Sequence, residues 1–270
     1  AIFNYDIKRF PKYHSESGFI EERITETLGD LYGMHWPFKQ HKTSRNIKTL
    51  PHHDNLKSFG ACFGVSGGYE RPMWFALDGE KAEYEYSYNY QSWYPSAEYE
   101  TNNTIKNVGL FDLTPFSKFE IKSEKAHQEL QKICTANIKN EPGKCTYTHM
   151  LNPDGGIETD LTVVCVKNNH FRIISSAATR ERDKFHIKKY LSKDIELKDI
   201  TDDLCVFGLF GPKSRDLIKT ISKDNFENDQ FRFGFAKFIT IDGIKIWAQR
   251  LSYVGELGFE LYVDLKDAKK

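Results

Sequence analysis

Gly155-Gly156-Ile157-Glu158-Thr159-Asp160-Leu161-Thr162-Val163-Val164-Cys165-Val166-Lys167-Asn168-Asn169-His170-Phe171-Arg172-Ile173-Ile174-Ser175 is the stretch on which the fold class turns. Residues 161–166 are a β-branched run, Lys167-Asn168-Asn169 is turn chemistry, and residues 170–176 return, which predicts an antiparallel hairpin. A second hairpin is announced by Asp242-Gly243 between residues 237–241 and 244–251, because Asp-Gly accepts the positive φ that a two-residue turn demands. Single helices fall between such pairs. Residues 116–122 read as a strand, and Ser123 then opens a helix striped by Ala126, Leu130, Ile133 and Cys134. Residues 178–191 read as a helix and 204–210 as a buried strand; Gly211-Pro212 is expected to start another helix, with Pro at its first position. Hairpins interleaved with single helices predict an α+β fold with antiparallel sheets rather than a doubly wound parallel sheet.

The first fifty residues read differently. Ile20, Ile24, Leu28 and Leu31 line one face of a helix that Ser17 would cap and Gly33 would end, and a basic, turn-prone stretch follows from Trp36-Pro37 to Pro51. The expected organisation is a segment 1–50 followed by a domain 51–270. Tyr84, Tyr86, Tyr88 and Tyr90 recur at every second residue, the spacing of one face of a strand, and predict a cross-strand aromatic ladder.

Composition removes several function classes. Thirty-eight basic residues balance thirty-eight acidic ones over 270 residues, so no net field draws in nucleic acid or an anionic lipid surface. No apolar run has the length of a membrane span, and mean hydropathy is −0.58. The five cysteines are widely spaced, form no C-x-x-C pair and predict reduced, buried thiols in a reducing compartment. Gly64-Val65-Ser66-Gly67-Gly68 matches the hydrolase elbow in letters, but Pro72 follows where that elbow needs a helix. His52-His53-Asp54 lacks metal-ligand spacing, so no metal is expected.

Two segments carry candidate chemistry. Residues 152–160 form a glycine-rich turn that feeds a strand, with Asp160 at its mouth, where burial and partners tune a carboxylate for proton handling. Tyr253-Val254-Gly255-Glu256-Leu257-Gly258-Phe259-Glu260 puts two carboxylates and a phenol around a bend between two strands; these residues line a pocket or face water, and their chemistry alone leaves both open.

Five blocks, 109–112, 147–152, 155–163, 208–215 and 253–262, occur in an order that resembles the glycine-cleavage aminomethyltransferase (T-protein) family. Two upstream blocks, His35-Trp36-Pro37-Phe38 and residues 60–75, are similar to the carboxyl-terminal half of dimethylglycine and sarcosine dehydrogenases. The resemblance implies a T-protein-like folate-binding domain preceded by the tail of an FAD-dependent oxidoreductase domain. It implies capture of a one-carbon unit from a small N-methylated amine as 5,10-methylenetetrahydrofolate. By the same resemblance Asp160 is the catalytic carboxylate, Glu260 takes the pteridine edge, Tyr253 lines the cofactor pocket, and FAD belongs to an upstream domain of the same polypeptide. Arg71 or Arg180 would meet the folate glutamate tail. The expected compartment is cytoplasmic, or the mitochondrial matrix in a eukaryote. The readings carried beside this one are a flavin-independent aminomethyltransferase or demethylase and a non-catalytic folate-binding module.

Overall fold

Residues 6–16 and 18–269 are described by a computed structural model. They fold as two compact units, one up to Asn103 and one from Thr104, and the chain passes between them within a single helix.

In the first unit, helix α1 (Phe19–Gly29) carries the expected stripe, yet Ile20, Ile24, Leu28 and Leu31 are all exposed. The helix stops at Gly29 rather than at Gly33, and the Ser17 cap lies outside the described residues. Its polar side does the anchoring. Glu26 accepts from the Lys42 and Thr43 backbone N–H groups; although burial opposes its charge, these bonds and the Thr43 hydroxyl hold its carboxyl down at about 2. Helix α2 (His53–Ser58) precedes a hairpin of β1 (Ala61–Ser66) and β2 (Tyr69–Phe75). Ser66 therefore ends a strand that turns directly into its antiparallel partner, which rules out the elbow geometry. The tyrosine ladder does not form, because residues 84–90 are irregular. Tyr84 and Tyr86 still stack, 5.8 Å between ring centres, while the Tyr86 hydroxyl accepts from Gln40 N and the Tyr88 hydroxyl donates to His35 O. Bonds to a distant loop have replaced a neighbouring strand.

Helix α3 (Tyr94–Lys106) leads into the second unit, which is built on two five-stranded antiparallel sheets. One has the order β5 (Cys145–Leu151), β6 (Ile157–Lys167), β7 (His170–Ser175), β4 (Ser117–Lys122), β8 (Leu197–Asp199). The other runs β10 (Ala236–Ile241), β11 (Ile244–Gln249), β12 (Gly258–Asp264), β9 (Leu204–Phe210), β3 (Gly109–Asp112). Both anticipated hairpins are present, and Asp242 and Gly243 take φ of 47° and 80°, as the tight turn requires.

Strand alternation divides the side chains into three cores. Leu161, Val163, Phe171, Ile173, Phe119 and Ile121 pack outward against α4 (Ala126–Ile133) and α5 (Arg180–Tyr190). Leu209, Phe259, Leu261 and Ile246 pack on the far side with Ile218 of α6 (Ser214–Ile221). The third core, with Cys145 and Val164 from one sheet and Val206, Trp247 and Tyr262 from the other, joins the two sheets face to face. Helix α6 begins at Ser214, so Pro212 stands in the turn before it instead of at the first helical position. There Lys213 N–H donates to Asn107 O, and Gly211, at φ 130°, leaves no room for a Cβ against Asn107 and Thr104 backbone.

Lys118, on β4, is fully buried, and its ammonium donates to Thr114 O at 2.7 Å. Burial, only partly opposed by Asp202, Cys205 and Asp112, drops its pKa from 10.5 to about 7. The unfolded chain then binds one more proton between those values, so stability rises with pH across that window. Denaturant midpoints from pH ~7 to ~10 are expected to climb in the wild type relative to K118M; parallel profiles would show that Lys118 titrates normally.

Candidate functional site

The inner faces of the two sheets carry charged side chains among their apolar ones. In register across one sheet lie Ala236, Gln249, Glu260, Gly208 and Phe111, one from each strand. On the opposing sheet the row Cys145, Val164, Arg172, Glu120 and Lys198 runs in the same manner. The two rows touch. Arg172 lies over the Tyr262 ring at 5.7 Å, and the Glu260 charge raises the pKa of the Cys145 thiol, behind the larger effect of burial.

Glu260 is half-buried, and its Oε2 accepts from the Tyr262 hydroxyl at 2.9 Å. Desolvation raises its pKa, and the phenol only partly opposes that. Tyr262, fully enclosed, is pushed well above its ordinary range by burial and by the adjacent carboxylate, so it stays a donor. Behind it, burial opposes the charge on Glu120, but His170, Arg172 and Lys122 hydrogen bonds prevail and hold its carboxyl far below the usual range.

Asp160 is the fourth residue of β6 and is exposed, so the strand mouth is wetter than a buried position would be. Its Oδ2 accepts from the Tyr147 hydroxyl at 3.2 Å. Tyr147 is raised by desolvation first, then by Asp160 and by Tyr253, which brings the phenol of the 251–257 bend into the same neighbourhood. Asp160 and Tyr147 thus stand together, with Tyr253 near enough to act on the phenol through its charge. Glu260 acts on Cys145 across the layer, and Tyr147 is the next residue along that face of β5, with Asp160 beside the one after it, His149; four residues of β6, roughly 13 Å, separate Val164 from Asp160. No hydrogen bond joins the two carboxylates among the described residues.

Arg180 is not a free cation: it is paired with Asp199 at 3.0 Å and Asp202 at 3.1 Å. Arg71 lies on β2 of the first unit. Among the described residues no group of three His, Cys, Asp or Glu side chains is arranged to hold a metal. Among the described residues no helix is long and apolar enough to cross a membrane. All five cysteines are free and buried.

Residues 52–270 match the family model described as GCVT N-terminal domain. The chain belongs to that family. This GCVT domain follows residues 2–49, which match the central domain of FAD dependent oxidoreductases. The chain is 35% identical over 258 residues to 4-methylaminobutanoate oxidase (formaldehyde-forming) of Paenarthrobacter nicotinovorans, covering 95% of this chain and 31% of that protein. It is 32% identical over 270 residues to human mitochondrial dimethylglycine dehydrogenase, covering 99% of this chain and 31% of that one. It thus spans about a third of the length of these relatives. Among solved structures, the glycine cleavage system aminomethyltransferase T from Bartonella henselae superposes with a TM-score of 0.66 at 20% identity, over 82% of this chain and 55% of that one, which establishes the shared fold.

Sequence reasoning on the GCVT domain did not single out Tyr147, Arg172, Glu120 or Tyr262 as site residues. A signal existed for Tyr262: it stands two residues after Glu260 and so shares its strand face. Glu120 with Arg172 requires the pairing of β4 with β7, which no local motif announces.

Glu260→Gln keeps an acceptor for Tyr262 and removes the charge. Because the folded-state pKa of Glu260 is raised, wild-type stability falls as pH rises from the carboxylate range through that pKa. E260Q should match the wild type in melting temperature at about pH 4 and exceed it increasingly at higher pH; a variant that becomes relatively less stable as pH rises would contradict the desolvated carboxylate.

Proposed function

We propose that the second unit binds tetrahydrofolate between its two sheets and transfers a one-carbon unit from a small N-methylated amine. The donor set suits the ligand. A pteridine edge offers an N–H and an amino group side by side, and a carboxylate accepts both in a two-point, charge-assisted bond. Glu260 has Tyr262 as its one hydrogen-bond partner among the described residues, which leaves most of its acceptor capacity for such an edge. That half-buried, under-used carboxylate is the observation that carries the reading.

When bound, tetrahydrofolate supplies two amine nitrogens that take up the carbon as 5,10-methylenetetrahydrofolate. The protein's part is to bind, orient and manage a proton. Tyr262 holds one oxygen of Glu260 and so fixes the plane of the carboxylate. Tyr147 does the same for Asp160, whose exposed carboxylate is free to accept a proton from a folate amine as a C–N bond forms. Tyr253, exposed on its bend, offers a ring to cover the ligand.

The same reading assigns oxidation of the amine to an FAD domain upstream in one polypeptide. Its support is the match of residues 2–49 and the exposed face of Ile20, Ile24 and Leu28 on α1, an apolar surface suited to packing against the rest of such a domain. The relatives supply the substrate class, small N-methylated amines, and the mitochondrial location of one of them fits a reducing compartment.

Calorimetry with tetrahydrofolate should give saturable binding to the 270-residue chain. Methylenetetrahydrofolate formation from formaldehyde should then run faster than the uncatalysed condensation, and D160N should lower that enhancement about 100-fold while leaving binding within a few fold. Saturable binding with no acceleration would assign the chain to a non-catalytic folate module.

A further inference from the structure

Gln249 ends β11 directly opposite Glu260 on β12, and the two side chains share the inner face of their sheet. Side chains so paired have Cβ atoms about 5 Å apart. Gln249 is fully buried, and neither its Nε2 nor its Oε1 has a hydrogen-bond partner among the described residues. Two residues earlier, on the same face, the Trp247 Nε1–H is likewise buried and without one.

An enclosed amide with both ends unpaired is a poor filler. A leucine or methionine would occupy the same space without the desolvation of an unbonded donor and acceptor. The position therefore needs a use for the amide that the protein's own atoms do not supply.

We propose that Gln249 is a specificity-determining ligand contact, its amide N–H donating to the ring carbonyl beside the N–H and amino group that Glu260 accepts; this rests on the folate reading above. The edge of a 4-oxo pterin presents acceptor, donor and donor in sequence. An amide next to a carboxylate presents donor, acceptor and acceptor. On the other flank of Glu260 stands Gly208, over which the Phe210 ring and Leu113 pack as an apolar wall. Solvent does not reach Gln249 in this structure, so the ligand reaches the amide past the Glu260 carboxylate that borders it. That carboxylate is half-buried and held by one hydrogen bond among the described residues, to Tyr262.

The assignment makes stability and affinity move in opposite directions. In the 270-residue chain, Q249L and Q249M should melt at or above the wild-type temperature without ligand. Calorimetry with tetrahydrofolate kept reduced should show affinity at least about tenfold weaker in both. Wild-type affinity in either folded variant would overturn the contact. So would a lower melting temperature in both, which would make the amide a structural group. A wild type that does not bind tetrahydrofolate would overturn the folate reading and this contact with it, whereas a binding wild type with unaffected variants overturns the contact alone.

Discussion

Two antiparallel sheets packed face to face hold a layer about 10 Å thick into which every second residue of ten strands projects. The middle of such a layer is dry, so each polar group there must find a partner or tolerate an unfavourable charge. Cys145, Val164, Val206, Trp247 and Tyr262 satisfy the constraint as apolar or amphipathic bodies. Glu120 satisfies it by collecting three donors. Glu260 meets it with a single hydrogen bond, to Tyr262, and Gln249 with none among the described residues, and they stand side by side. The functional reading grows from that local failure, because a group the fold leaves under-bonded is a group a ligand can complete.

The network behind Glu260 explains why its carboxylate holds a fixed place. Arg172 is bound to Glu120 and lies over the ring of Tyr262, whose hydroxyl reaches Glu260. Each contact fixes the next, so the position of one carboxylate depends on three strands of two sheets. Asp160 has a lighter harness, a single phenol at an exposed strand position. A firmly held binding carboxylate and a looser, solvated one suit different work: recognition for the first, proton handling for the second.

Local chemistry made much of the framework legible. The 161–176 stretch and Asp242-Gly243 each encode a hairpin within a few residues, and 204–210 announces itself by unbroken apolar character. What failed was decided at a distance. Lys213 bonds to Asn107, more than a hundred residues away, and moves the start of α6 past Pro212. The tyrosines at 84–90 find the 35–40 loop instead of a strand. Asp160, Tyr253 and Glu260 were visible as residue types near turns, but their roles came from family resemblance. Gln249 was hidden because its importance lies in its register with Glu260, which depends on how the 251–257 bend returns the chain.

The proposed pose puts a reduced pterin between the sheets with its hydrogen-bonding edge on Glu260. A crystal structure of the chain soaked with tetrahydrofolate tests it most directly. The account predicts the pterin N–H and amino group within hydrogen-bond distance of the Glu260 carboxylate, with the folate amines toward Asp160 and Tyr147. A ligand bound anywhere else, with Glu260 still bonded to Tyr262 alone, would contradict it.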